Sequence, residues 1–149
     1  MGKREFNISV EIDAPPERVW RIMADVERWA EWTPSVQSIV LLDRGPLAAG
    51  SRARIRQPKF PSAVWKVTAL EPNHSFTWKS GSFVVWTIAH HAVKPTGSGC
   101  RVTLSLLFGG WLGGLLASIT AKITETYLNF EATGLKRRSE ELARGKIGS

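Results

Sequence analysis

The stretch LGGLLASITAKITETYLNFEATGLKRRSEELA, residues 112–143, decides the fold of this chain. It contains no proline, and its apolar residues recur at the spacing of an amphipathic helix. At about 100° per residue, one face carries Leu112, Leu115, Leu116, Ile119, Ile123, Thr126, Phe130 and Gly134. The pattern predicts one helix of roughly 30 residues, about 45 Å long. Such a wide stripe needs a large partner surface, which the strand-rich remainder of the chain must supply.

The residues before this helix follow strand patterns. Apolar and polar residues alternate over 6–12, which predicts a strand with one solvent-exposed face. Two short helices follow, one beginning at Pro15 and Pro16 and one capped by Asp25. Six more strands are predicted, over residues 39–42, 52–56, 65–69, 76–79, 83–93 and 102–108.

The short turns between consecutive strands favour an antiparallel meander. We therefore predict an α+β fold, with a curved antiparallel sheet of about seven strands wrapped around the 112–143 helix. The segment 83–93 is apolar on both faces, so its orientation stays open. The choice matters, because it decides which of His90 and His91 faces the interior.

Composition is typical of one globular domain. The chain has 149 residues, and 43% apolar against 22% charged residues excludes a disordered chain. No apolar run is long enough for a transmembrane helix, and the N-terminus lacks the apolar segment of a signal peptide. Cys100 is the only cysteine, which excludes an internal disulfide. We expect a single domain over residues 1–149 in the cytoplasm.

The net charge of +7 is unevenly distributed. No acid lies between Asp43 and Glu71, and this segment carries Arg44, Arg52, Arg54, Arg56, Lys59 and Lys66. A solvated basic face explains the cluster, and transient attraction to an anionic membrane surface is the alternative, with residues 108–116 as an apolar lip. We expect no nucleic-acid partner, because no recognition motif accompanies the charge.

The segment Ile12-Asp-Ala-Pro-Pro-Glu-Arg-Val-Trp20 resembles the I-x-A-P-x-x-x-V-W opening of the START-like, or SRPBCC, superfamily. Further matching positions are Asp25, Trp29, Trp32-Thr-Pro34, Gly50, Trp65-Lys-Val67, Leu135-Lys136 and Glu140. The chain is most similar to the polyketide cyclase/dehydrase-like branch. The resemblance implies the helix-grip fold, in which a sheet curls around a long helix and lines a cavity. Lipid carriers, hormone receptors and cyclases share that fold, so it does not select one activity.

The predicted ligand site is this cavity. Trp65 and Trp78 lie on the apolar faces of neighbouring strands, and aromatic walls suit a flat or apolar ligand. Ordinary core packing is the alternative for both. The complete predicted lining is Trp65, Trp78, Phe108, Ile119, Ile123, Tyr127 and Phe130.

Evidence for catalysis is thin. Tyr127 is the best polar candidate and His91 the second, although a structural hydrogen bond explains either side chain as well. His90 and His91 point to opposite faces of a strand and cannot share one metal ion. Because the lone cysteine and His74 complete no zinc spacing, we predict no metal and no cofactor.

The leading hypothesis is therefore the binding or carrying of a small hydrophobic molecule, such as a lipid, polyketide or aromatic metabolite. The alternative is a cyclase, aromatase or dehydrase that acts in the same cavity. Leu128, Leu135 and Leu142 recur every seven residues on the other helix face. Docking against the short helices explains Leu135 and Leu142, whereas an exposed Leu128 would suit a dimer contact, so the chain is predicted to be a monomer or a homodimer.

Overall fold

A computed structural model describes residues 3–145. Seven antiparallel strands form one sheet in the order β1-β7-β6-β5-β4-β3-β2. The strands are β1 Arg4–Ile12, β2 Ser38–Leu41, β3 Arg52–Arg56, β4 Ala63–Glu71, β5 Ser75–Gly81, β6 Trp86–Pro95 and β7 Cys100–Gly109. The helices are α1 Pro16–Ala24, a 3₁₀ helix Val26–Glu31, α2 Gly113–Ile119 and α3 Ala121–Ala143. The predicted helix-grip fold is confirmed.

Pairing between the first and the last strand determines the shape of the sheet. All nine residues of β1 pair with β7, from Arg4 opposite Phe108 to Ile12 opposite Cys100. Because β2 to β7 form a meander, this pairing leaves β1 and β2 at the two edges. A β-bulge between Val67 and Ala69 adds local twist to β4.

The two short helices connect β1 to β2. Pro16 occupies the first turn of α1, where the missing N–H costs nothing. Val19, Trp20 and Met23 are the buried residues of α1. The 3₁₀ helix is fixed to α1 by the indole N–H of Trp29, which donates to the Met23 carbonyl at 2.9 Å.

The C-terminal helix differs from the prediction in two ways. It is not continuous, because Thr120 has φ −100° and ψ 10°, and its hydroxyl donates to the Leu116 carbonyl at 2.8 Å. Its buried face is also different, and it carries Ala117, Thr124, Leu128, Ala132, Gly134, Leu135 and Ser139. Small side chains let α3 lie close to β1 and α1, whereas the larger apolar side chains of the predicted stripe lie beside this face or are exposed.

The structure decides how the leucines of the C-terminal helix are buried and how the strand with His90 and His91 is oriented. Leu135 is buried and Leu142 is half-buried, as docking requires. Leu128 is buried too, so it is not available for a dimer contact. The predicted strand 83–93 begins instead at Trp86, and its register places His91 inside and His90 outside. Residues 82–85 form the loop between β5 and β6, and Phe83 in this loop is 84% exposed.

Candidate functional site

The concave face of the sheet carries an aromatic cluster centred on Trp29. The ring of Trp29 lies 5.7 Å from Trp78 and 5.4 Å from both His91 and Trp32, measured between ring centroids. Trp78 is only 2% exposed. The 3₁₀ helix therefore fills this part of the interior with the protein's own side chains.

His91 is held inside this cluster as a neutral ring. It stacks on Phe76 with ring centroids 4.2 Å apart and an interplanar angle of 10°. Its Nδ1 lies 3.4 Å from the Phe76 carbonyl, which can only accept a hydrogen bond, so Nδ1 carries the proton. Burial lowers the pKa of His91 to about 3, against a weaker opposing effect of that hydrogen bond. At neutral pH the ring cannot act as an acid through its cationic form.

Trp65 marks the margin of the cluster. Its ring lies 6.0 Å from Trp78, and the residue is half-buried. Trp65 and Val64 are neighbours on β4 and point to opposite faces, with Val64 41% exposed on the outer face. Part of the Trp65 indole thus stays accessible on the inner side of the sheet.

Residues 57–62, here called the closing loop, join the sheet to α3. The Tyr127 hydroxyl donates to the Pro58 carbonyl, and the Phe60 ring meets the Tyr127 ring edge-on at 5.8 Å. At its other end, the Gln57 side-chain amide donates to the Ser35 carbonyl at 3.2 Å. The Tyr127 hydroxyl is therefore engaged with the backbone, and its burial raises its pKa.

Glu131 is the residue that sequence reasoning missed. It lies one turn after Tyr127 on α3, is half-buried, and accepts a hydrogen bond from the Ser35 hydroxyl at 3.3 Å. Burial raises the pKa of Glu131 to about 7, although the Ser35 hydrogen bond acts in the opposite direction. The carboxyl group therefore exists in both protonation states near neutral pH. The available signal was the i, i+4 spacing of Ile123, Tyr127 and Glu131, but Ser35 is too distant in sequence to predict.

The predicted lining residues other than Trp65 and Trp78 lie in three places. Tyr127 and Phe130 come together, with stacked rings 6.4 Å apart, and Ile123 is half-buried one turn before Tyr127. Phe108 packs instead on Phe6, at 5.9 Å, near the β1 edge of the sheet. Ile119 is 72% exposed on α2. The lining of a cavity by these residues stays a prediction.

Exposed apolar side chains lie together beside α2. This apolar rim comprises Phe83, Trp111, Leu112, Leu115 and Ile119. Two backbone hydrogen bonds hold its two segments together, from Leu112 N–H to the Val84 carbonyl at 2.8 Å and from Trp111 N–H to the Phe83 carbonyl at 3.3 Å. Exposed apolar side chains grouped in this way are a common feature of interaction surfaces.

Two further recesses lie within residues 3–145, and Trp32 of the aromatic cluster borders the second. One, of about 290 Å³, separates β1 from α3 and is bordered by Phe6, Ile8 and Leu128. The other, of about 410 Å³, lies between α1 and the end of α3. Within residues 3–145, no three His, Cys, Asp or Glu side chains are grouped so that they could hold a metal ion. No helix in the same residues is long and apolar enough to cross a membrane.

Residues 3–140 match the protein family described as polyketide cyclase / dehydrase and lipid transport. Among curated proteins, none matches this sequence. Among solved structures, the aromatase/cyclase Zhui from Streptomyces is similar, with 15% identity, a TM-score of 0.76, and coverage of 99% of this chain and 100% of that chain.

Two further structures share the fold. The protein TTHA0849 from Thermus thermophilus is 24% identical, with a TM-score of 0.73 and coverage of 91% and 97% of the two chains. Norcoclaurine synthase from Thalictrum flavum, solved in complex with dopamine and hydroxybenzaldehyde, is 13% identical, with a TM-score of 0.74 and coverage of 99% and 90%. At identities this low, the likenesses show the fold alone.

Proposed function

Because this chain belongs to the polyketide cyclase/dehydrase and lipid transport family, a START-like family, we propose that it binds a small hydrophobic molecule between the sheet and α3. The observation that carries the proposal is the row Ile123, Tyr127 and Glu131 on α3. These residues are half-buried and lie beside the face that packs on β1 and α1. A mainly apolar surface with one desolvated carboxyl group matches the usual composition of a ligand pocket.

The closing loop forms the entrance through which a ligand reaches this site. One side-chain hydrogen bond and one ring contact join it to Tyr127. These contacts are few enough to break and re-form as a ligand passes, since a net hydrogen bond is worth about 1 kcal/mol. The apolar rim offers a second surface on which an apolar molecule could first be held.

A neutral fluorescent dye tests this proposal. Nile red should bind and quench tryptophan emission, and Trp65→Ala should weaken its affinity about fivefold through the loss of apolar contact. Val64→Ala is the matched control, because it changes the outer face of the same strand. Equal weakening in both variants would mean that the dye binds elsewhere.

Glu131 favours a second candidate, a cyclase or dehydrase activity in the same place. A carboxyl group with a pKa of about 7 is suited to both taking and giving a proton near neutral pH. In a dehydration, the ionised form would remove the α-proton of a β-hydroxy ketone, and the resulting acid would protonate the departing hydroxide to water. The product would be the enone.

The test uses a synthetic β-hydroxy ketone whose enone product absorbs in the ultraviolet. If Glu131 transfers the proton, Glu131→Gln should lower turnover about a hundredfold while the affinity for the ketone stays nearly constant. No enone above the uncatalysed background with the unmodified protein would leave ligand binding as the function.

A further inference from the structure

A positively charged groove lies between the two short helices and the C-terminal end of α3. Its volume is about 410 Å³, within the range of small-molecule sites. Arginines from all three helices line it: Arg18 and Arg21 from α1, Arg28 from the 3₁₀ helix, and Arg138 from α3. These residues converge only in the folded chain, so their spacing in the sequence does not connect them.

The charges in this groove are not balanced. Glu31 pairs with both Arg28, at 3.1 Å, and Arg138. Arg18 and Arg21 form no ion pair within residues 3–145. Asp25 is the acid among the lining residues, so the four arginines exceed Asp25 and Glu31 by two positive charges.

Two hydrogen-bond donors at the groove are also unsatisfied. The Nε of Arg18 and the indole nitrogen of Trp32 are buried without a hydrogen-bond partner. Trp32 is 4% exposed and belongs to the lining. Buried donors are rarely left unpaired, so both N–H groups are available to an acceptor bound beside them.

The groove has an apolar side as well. Ile22, Trp32 and Leu142 contribute to its wall beside the arginines. A ligand that contacts both the arginines and the apolar wall must carry an anionic group rich in hydrogen-bond acceptors and an apolar body. Guanidinium groups recognise carboxylate and phosphate in particular, because their planar donors match two oxygens at once.

We propose that this groove is a second binding site, which takes a small organic oxyanion: a phosphate or carboxylate group on a short apolar chain. The anionic group binds at Arg18 and Arg21, which have no internal acid partner. The chain lies along Ile22, Trp32 and Leu142. This site is separate from the one between the sheet and α3. Its occupation does not depend on which ligand binds there.

Three probes of equal chain length test the proposal: octyl phosphate, octanoate and octanol. Binding is followed by the indole N–H resonances of ¹⁵N-labelled protein, with the Trp32 signal assigned from Trp32→Phe. Octyl phosphate and octanoate should shift the Trp32 signal in a saturable way, and octanol should not. Shifts centred on Trp65 instead of Trp32 would place the ligand in the other site and overturn the proposal.

Paired variants separate a built site from general attraction. The double change Arg18→Gln and Arg21→Gln should weaken octyl phosphate binding about tenfold or more, since charge-assisted hydrogen bonds are lost. The control, Arg54→Gln with Arg56→Gln, removes the same charge from two exposed positions on β3. It should change the affinity less than about twofold at about 150 mM salt, where the screening length is about 8 Å.

Equal losses in both double variants would show unspecific electrostatics and contradict the proposal. Binding to vesicles of phosphatidic acid without any binding of soluble octyl phosphate would contradict it too, because the occupant would then be a membrane surface. If the double variant does not fold, the single variant Arg21→Gln tests anion binding in the groove. Arg21 is exposed, and its loss should still weaken binding about threefold.

Discussion

At the scale of single residues, Glu131 makes the stability of the protein depend on pH. Its pKa is raised to about 7 from 4.5, so between these values the folded chain holds a proton that the unfolded chain has released. The free energy of unfolding therefore falls as the pH rises through this window. The contribution lost between about pH 5 and pH 8 is roughly 2 to 3 kcal/mol, because each pKa unit is worth about 1.4 kcal/mol.

Glu131→Gln should remove this dependence. Relative to the unmodified protein, the variant should gain roughly 2 to 3 kcal/mol between about pH 5 and pH 8, as measured by urea unfolding. Other titrating groups cancel in that difference. An unchanged difference at the two pH values would mean that Glu131 is ionised and solvated in the folded chain.

His91 acts in the opposite direction. Its pKa is lowered to about 3 from 6.5, so the unfolded chain binds the extra proton first. The folded state is consequently destabilised as the pH falls below about 6.5. In the overlap of the two windows, the effects of His91 and Glu131 oppose each other, which makes single-site comparisons necessary.

His91→Gln should therefore become favourable in acid relative to the unmodified protein. The loss in the free energy of unfolding that this substitution causes at pH 7 should be smaller by roughly 3 kcal/mol at about pH 4. The measurement is urea unfolding of the variant and of the unmodified protein at about pH 7 and about pH 4. A loss that is the same at both pH values would contradict a neutral, buried His91.

At the scale of elements, α3 shows what hydrophobic periodicity can and cannot predict. The presence of the helix and its sheet-covering role follow from the sequence, but the break at Thr120 does not. The buried face of α3 does not follow either, because Thr124, Ala132 and Ser139 are buried while Phe130 is exposed. Close approach to neighbouring elements selects small side chains, and a count of large apolar residues overlooks them.

Gly134 is the position where this close approach is tightest. A Cβ there would lie 1.9 Å from the Trp32 carbonyl oxygen, so the backbones of α3 and the 3₁₀ helix could not keep their spacing. Gly134→Ala should destabilise the fold by about 2 kcal/mol or more, although alanine favours a helix by about 1 kcal/mol. The control Thr133→Ala changes an exposed neighbour on α3 and should be neutral within about 0.5 kcal/mol. A stabilised Gly134→Ala protein would contradict the packing described for α3.

The candidate site, too, could be predicted from the sequence only in part. Trp65, Tyr127 and Phe130 could be named from the sequence because they are aromatic and lie on elements that the pattern predicts. The partners that give the site its chemistry, Ser35 to Glu131 and the Pro58 carbonyl to Tyr127, are fixed only by tertiary structure. Phe108 packs on Phe6, and this contact between β7 and β1 could not be predicted from the sequence.

At the scale of the whole molecule, a membrane surface would meet two features. One is the apolar rim, and the other is the β3 stripe, formed by the exposed Arg52, Arg54 and Arg56. We expect weak, salt-sensitive binding to anionic vesicles, with the rim in contact with the acyl chains. Leu115→Ser should weaken vesicle sedimentation severalfold because it removes an apolar contact that is 59% exposed. Thr133→Ser, at an exposed position on α3 outside the rim and the β3 stripe, should have no effect. Equal effects of the two changes would rule out the rim as the contact.

The central claim is that an apolar molecule binds between the sheet and α3. The most direct test is nuclear Overhauser contact between bound Nile red and the side chains of the isotope-labelled protein. Our account predicts contacts to the Ile123 methyl groups, the Tyr127 ring and the Trp65 indole. Contacts confined to Leu115 and Ile119 on the apolar rim, or to Ile22 and Leu142 in the arginine groove, would contradict it.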